Sequence, residues 1–255
     1  MRTSPSQLVR LQQCPRLWWF RYVRKLPFPE TKPLALGNAL HALCAASLAG
    51  RPRPAGWDHH LSRQERELAL RLLEAGATAL KPRPGLEVEI DVALRSGEHE
   101  ICGRIDCLDP SPDSLEVTDH KTASSARWLK QPEDLRTDVP MMLYAGYALW
   151  RAPSATEVKL RHNQFIEDDP RLESASVSVS RDEVRSFWAQ TIVPLLRTSD
   201  AVKDIEGWQD VPGHPACSKA CHAYNGCKFA AICHGGMPIQ DFTPERAAAH
   251  GWAPF

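Results

Sequence analysis

The chain has 255 residues, 43% of them hydrophobic, enough to bury a sizeable core as one domain with appended elements. Its charge is balanced, 31 basic against 31 acidic residues, so no global field draws it onto nucleic acid or a membrane, and such a contact must come from a local basic surface. No apolar run reaches a membrane span and the N-terminus lacks a signal-like apolar region, which points to a cytoplasmic protein, where eight cysteines argue for metal ligation or buried thiols over disulfides.

Ser4-Pro5-Ser6-Gln7 opens a helix, with Ser4 as N-cap, Pro5 in the first turn and Gln7 reaching back as in a capping box. That helix runs to about Gln13. Cys14-Pro15 restarts it, because proline suits a first turn and not a helix interior, and Cys14 therefore stands near a helix N-terminus, where the macrodipole favours a thiolate. From Arg16 to Lys25 aromatic residues alternate with bases. Such a helix either offers a base-stacking, phosphate-contacting surface with Arg16 in it, or is an ordinary amphipathic helix with buried aromatics, and the second reading is preferred.

Leu34 to Ala49 is a helix of small and apolar residues with one conspicuous polar group, His41, taken alone a satisfied core histidine before it is a ligand. Cys44, one turn on, is a core thiol. Arg51 to Gly56 is a linker, and Ser62 to Leu80 is a charged amphipathic helix ending before Pro82. Leu86, Val88, Ile90, Val92 and Leu94 alternate with Glu87, Glu89 and Asp91 as in a half-exposed strand, and that alternation accounts for the acidic residues. Ser96-Gly97-Glu98 then turns the chain into a strand from Glu100 to Leu108, in which Cys102 and Cys107 are packing thiols.

Within that strand lies Gly103-Arg104-Ile105-Asp106. The turn-forming run Asp109 to Ser114 lets it pair as a hairpin with Leu115 to Lys121. Strand periodicity puts Leu115, Val117, Asp119 and Lys121 on one face, so an apolar stripe gives way to ionic groups at its end. The pairing brings Asp106 and Asp119 together. Two neighbouring carboxylates repel, and a shared proton or a divalent cation relieves them; hard oxygen ligands suit magnesium or manganese. Lys121, two residues from Asp119, is placed to orient a water and stabilise charge on a phosphate.

Thr122 to Asp138 is polar and loop-like; Arg127, Trp128 and Lys130 in it suit contact with a nucleic-acid strand, or the segment is a movable flap. Val139 to Trp150 is an apolar helix. Glu157 to Ile166 and Leu172 to Val179 are strands, the first returning beside the hairpin through that helix as a crossover unit. Ser180-Arg181-Asp182-Glu183 is a capping box opening a helix to about Thr198. Cys217, Cys221, Cys227 and Cys233 follow within seventeen residues, at spacings wider than the two to four residues usual in zinc sites. They suit a zinc knuckle less well than a cluster, and His214, His222 and His234 are further possible ligands. The tail from Gly235 to Phe255 is turn-rich, then shortly helical, and carries no functional signal.

An Asp after Gly-x-Ile, a turn, and then Asp119-x-Lys121 resembles the PD-(D/E)xK nuclease superfamily, and specifically its RecB-like branch. Gly37-Asn38-Ala39-Leu40-His41 is similar to that branch's Gly-x-x-x-His pattern, whose histidine is a metal ligand. Tyr144 matches the second half of its Gln-x-x-x-Tyr helix, with Pro140 in place of the glutamine. Cys14 with Cys221, Cys227 and Cys233 resembles the one-plus-three cysteine arrangement of iron-sulfur RecB-like and AddB-type proteins, and Tyr224 to Phe229 resembles their Tyr-Gly-Gly-Cys-Pro-Phe segment. The resemblance implies an α/β, restriction-endonuclease-like fold: a mixed central sheet flanked by helices, with a cysteine-clamped helical element, in one domain over 1–255. It implies magnesium or manganese held by His41, Asp106, Asp119 and the His120 carbonyl, with Lys121 positioning the water. It implies a [4Fe-4S] cluster on Cys14, Cys221, Cys227 and Cys233 that joins the two ends of the chain, Cys217 being a possible substitute; a four-cysteine zinc site without Cys14 is the alternative. The expected activity is exonucleolytic cleavage of single-stranded DNA or duplex ends in recombination, repair, phage or CRISPR-related processing. Arg16, Arg127, Trp128 and Tyr144 would contact DNA, and a helicase, recombinase or CRISPR-adaptation protein would be the partner. The competing expectation is a non-catalytic DNA-binding or assembly subunit.

Overall fold

The computed structural model describes residues 1–27, 32–111, 115–213, 221 and 227–249. In chain order, β1 (Arg2–Thr3) leads to α1 (Pro5–Gln13), α2 (Pro15–Trp18), α3 (Lys32–Leu48) and α4 (Arg63–Ala75). Then come β2 (Glu87–Ser96), β3 (His99–Asp109), β4 (Glu116–Ala123), α5 (Val139–Arg151), β5 (Glu157–Ile166) and β6 (Arg171–Ser180). The remainder is helical: α6 (Arg181–Phe187), α7 (Val193–Lys203), α8 (Ala230–Cys233) and α9 (Pro244–Ala249). The chain divides into two compact units, one of residues 1–2 and 31–189, the other of residues 3–30 and 190–255.

The first unit is built on a six-stranded mixed sheet of order β1-β3-β4-β5-β6, with β2 on the other edge of β3. β2, β3 and β4 are successive antiparallel strands: Ser96 opposes His99 across the Gly97 turn, and Cys107 opposes Thr118 across the second one. Gly97 has φ +56°, a left-handed conformation that glycine adopts without a Cβ clash. β5 returns parallel to β4 after α5, the expected crossover, with Asp119 beside His162 and Lys121 beside Gln164. β6 closes the sheet antiparallel to β5.

Helices cover both faces because the strands here are apolar on both. One face packs Val117, Ile105, Leu108 and Leu160 against Met141, Ala145, Ala148 and Leu149 of α5. The other packs Cys107 and Phe165 against Leu40, Cys44 and Leu48 of α3 and Leu72 of α4. Each large side chain fully withdrawn from water contributes roughly 1.5–3 kcal/mol, so this three-layer arrangement fixes the ends of β3, β4 and β5. The fold is the α/β, restriction-endonuclease-like architecture expected from the sequence.

In the second unit the aromatic helix is an inward one. Trp18, Trp19 and Phe20 are buried with Leu11, Val202, Val211, Phe229, Ile232 and Phe242, which favours the amphipathic reading of Arg16 to Lys25. The helix also changes type: α2 ends at Trp18 and Trp19–Val23 continues with π geometry. Two other boundaries differ from expectation. α4 stops at Ala75, capped by Gly76, and turns carry the chain to the buried Leu80. The helix begun at Ser180 widens to a π turn at Trp188–Ile192 before α7, because Pro194 in the first turn of α7 has no amide hydrogen to continue the ladder.

Candidate functional site

Asp106 leaves the last third of β3 and Asp119 and Lys121 leave the middle of β4. The paired register of β3 and β4 ends at Cys107 and Thr118, and beyond it the His120 backbone amide donates a 2.6 Å hydrogen bond to the Asp106 side chain at Oδ2. His41 arrives from α3, its Nδ1 3.2 Å from Asp106 Oδ1. Lys121 Nζ lies 2.6 Å from Asp119 Oδ2. Asp106 is thus paired with an imidazole and Asp119 with an ammonium, and His41, Asp106, Asp119 and Lys121 are brought together.

Both carboxylates are buried while the lysine is half exposed, at 47% of its side chain. Burial alone would raise the Asp106 pKa, but His41, His120 and the His120 amide outweigh it and hold the carboxyl below its ordinary value, so it is ionised at neutral pH. Burial likewise works against charge on His41, yet Asp106 prevails and shifts it upward. The Lys121 ammonium is disfavoured by burial and then raised by the adjacent Asp119. The His120 ring points to the other side of β4, where its Nε2 lies 3.6 Å from Cys107 Sγ; burial takes its pKa down to about 4, so the ring is neutral and its part in the site is played by its backbone.

Two carboxylates and a backbone carbonyl are hard oxygen donors of the kind magnesium or manganese takes, and the His41 imidazole beside them is a softer nitrogen donor. Asp119 Oδ2 supports that fit, because it is buried and has no hydrogen-bond donor aligned on it among the described residues; the nearby ammonium is close but off the hydrogen-bonding direction. Among the described residues, no three His, Cys, Asp or Glu side chains converge as a formed metal cage, either at these carboxylates or at Cys14, Cys221, Cys227 and Cys233; Asp106 faces His41 and Asp119 faces Lys121.

The other expected contacts divide. Arg127 and Trp128 lie on an exposed 3-10 turn at Ala126–Trp128, with the guanidinium 4.9 Å from the indole centre. Arg16 is committed inside its own unit, donating to the carbonyls of Val211 and Gln209 and stacking on Trp208. Tyr144 on α5 is buried beside the carboxylates, its pKa driven up by that burial and by Asp119 and Asp106, so its ring offers no open stacking face. Lys130 pairs with Asp138, the N-cap of α5, and its backbone is held at both ends by Gln164.

Of the cysteines, Cys14 caps α2, its Sγ accepting from the Leu17 amide at 3.5 Å. The Cys233 thiol is pushed up to about 12 by burial and by Cys227 and Cys14, against the pull of Arg16. Cys221 Sγ is 3.4 Å from His234 Nε2, and its carbonyl accepts from the Cys227 amide. Among the described residues no two cysteines are joined as a disulfide. Cys217, His214, His222 and Tyr224 to Gly226 lie outside the described residues.

Sequence reading missed His162. It is fully buried on β5, its Nε2 3.6 Å from Asp119 Oδ2. The available signal was His162 in register with Val158, Leu160 and Ile166, a polar ring at an inward position of a strand.

A mixed sheet that sets Asp106 and Asp119-x-Lys121 on neighbouring strands is the arrangement expected of a metal-dependent nuclease. The chain belongs to the PD-(D/E)XK nuclease superfamily, whose family model matches residues 2–234. Among solved structures it is similar to one titled "Crystal structure of SSO0001", at 19% identity over 93% of this chain and 87% of that chain, with a TM-score of 0.43. No curated protein matches it.

Proposed function

We propose that the chain is a RecB-like DNA exonuclease acting on single strands or duplex ends, with magnesium or manganese at the site. The observation that carries this reading is the paired set His41–Asp106 and Asp119–Lys121 on β3, β4 and α3, complete in every member. His41, Asp106, Asp119 and the His120 carbonyl would hold the cation, which supplies Lewis-acid stabilisation of the phosphate and a more acidic water. The protein's own contribution is positional. The His120 amide and His41 fix Asp106 from two directions, and Lys121, anchored by Asp119, presents an ammonium to the attacking water and to the developing phosphate charge. Arg127 and Trp128 offer the strand a cation and an aromatic face.

In the second unit, Cys14, Cys221, Cys227 and Cys233 would carry a [4Fe-4S] cluster. Supporting it, Cys14 and Cys227 both lie near enough to Cys233 to help raise its pKa, so thiols from both ends of the sequence share one neighbourhood. On this reading the whole chain works as one nuclease domain whose ends the cluster joins. A helicase, recombinase or CRISPR-adaptation protein would deliver the DNA end.

The test is cleavage of end-labelled single- and double-stranded DNA with manganese. Asp119→Ala and Lys121→Ala should fold as the parent does and lose about 100-fold or more of the rate, the scale of removing one electrostatic contributor. Undiminished cleavage by both variants overturns the assignment.

A further inference from the structure

His162 is the least satisfied polar side chain around the site. The parallel register sets it directly beside Asp119. It is 1% exposed, and neither ring nitrogen has a hydrogen-bond partner among the described residues. An imidazole always carries at least one N–H, and a buried donor left unmade is costly. The nearest acceptor is Asp119 Oδ2, 3.6 Å from Nε2, itself buried and lacking an aligned donor. A buried ring nitrogen without a hydrogen-bond partner among the described residues thus faces a carboxylate oxygen one short movement away. Lys121 Nζ sits on the same oxygen. The ammonium serves two demands, neutralising Asp119 and reaching a substrate, and a second donor on Oδ2 would separate them.

We propose that His162 is a positioning residue of the metal centre: its Nε2–H donates to Asp119 Oδ2, orienting the carboxylate toward a divalent cation and relieving Lys121 of that task. Histidine-carboxylate pairs behind a metal commonly set ligand orientation, and their loss weakens metal affinity tenfold to a hundredfold. The neutral ring suffices for this, and burial does hold the pKa of His162 below its ordinary value.

The inference rests on Asp119 being a cation ligand, and the experiment separates the two. Manganese binding to the full-length protein without DNA is followed by the electron paramagnetic resonance of free Mn2+. Four variants are compared with the parent: His162→Met, His162→Gln, Asp119→Asn and the double variant Asp119→Asn/His162→Met. Met and Gln have similar length, but only Gln retains a donor. The expected result is about tenfold or greater weakening by His162→Met, near-parental affinity for His162→Gln, and no further loss when His162→Met is added to Asp119→Asn. A merely structural histidine predicts equal losses for Met and Gln; that outcome, or parental affinity for His162→Met, overturns the inference. Should His162→Met not fold, weakened binding by folded His162→Gln likewise counts against it. Parental manganese affinity for Asp119→Asn overturns the reading of Asp119 itself.

Discussion

Glu116 stands three residues before Asp119 on β4 and takes no part in the site, yet its ion pairs stiffen the strand that carries it. Arg161 on β5 grips both carboxylate oxygens, at 2.9 and 3.2 Å, and Lys159 adds a contact at 3.2 Å. Burial pushes the Glu116 pKa up, but Arg161 and Lys159 outweigh it and the net shift is downward from the ordinary value of 4.5. The folded state therefore binds the proton less readily than the unfolded one, so the stabilisation is present above about pH 4.5 and is lost as the pH falls through the folded value. Glu116→Gln should lower stability by roughly 1–2 kcal/mol at pH 7, the range for a charge-assisted pair that is partly screened. The difference from the parent should shrink toward pH 3, as read by urea titration across that range. A difference independent of pH would mean that shape, not charge, is what Glu116 contributes.

Two glycines show how the helices are set against the sheet. Gly76 caps α4, and a Cβ there would meet Phe165 Cε1 at 2.7 Å and Leu80 Cδ1 at 3.1 Å. Phe165 is fully buried on β5 and has no room to yield. Gly37, inside α3, is different: its Cβ would find only Thr122 Oγ1, at an ordinary 3.6 Å. Gly76→Ala should therefore cost about 1–3 kcal/mol by overpacking, while Gly37→Ala should be neutral or stabilising by up to about 1 kcal/mol through helix propensity. Thermal unfolding of the two variants distinguishes them, and a Gly76→Ala variant as stable as the parent would show that α4 can slide on β5. Neither packing assignment was legible in the sequence, where Gly37 stands only as the first residue of the Gly-x-x-x-His pattern and Gly76 as a glycine inside a predicted helix. What sequence did carry was local: the N-cap at Ser4 and the capping box at Ser180, the antiparallel run ending at Lys121, and the Asp106/Asp119-x-Lys121 set. What it lost depended on partners remote in the chain. His162 acquires its meaning from the parallel register with Asp119, Arg16 from carbonyls near residue 210, and Tyr144 from the burial of α5 against the carboxylates.

At the scale of the whole chain, the second unit gathers residues 3–30 and 190–255, so its N- and C-terminal parts meet only after the intervening first unit has been spanned. Closing so long a loop carries a large entropic cost, and a covalent or metal link across a loop of about 100 residues offsets roughly 4.7 kcal/mol of it in the chain-entropy description. The packing of Leu11, Trp19 and Phe20 on Phe229 and Ile232 opposes the same cost. If Cys14 and the three later cysteines hold a [4Fe-4S] cluster, its ligation is a second and separable source of that closure. Anaerobically purified protein should then be brown, with iron and sulfide near four per chain. Cys14→Ala should lose both, and its amide hydrogen exchange should rise in residues 3–27 and 227–249 while Ile105, Val117 and Leu160 keep their protection. The protected strands act as the internal control, because a variant that merely unfolds would release them too. Colourless protein containing zinc, whose content Cys14→Ala leaves unchanged, would assign the later cysteines to a zinc site without Cys14 and leave the hydrophobic packing alone to join the ends of the chain.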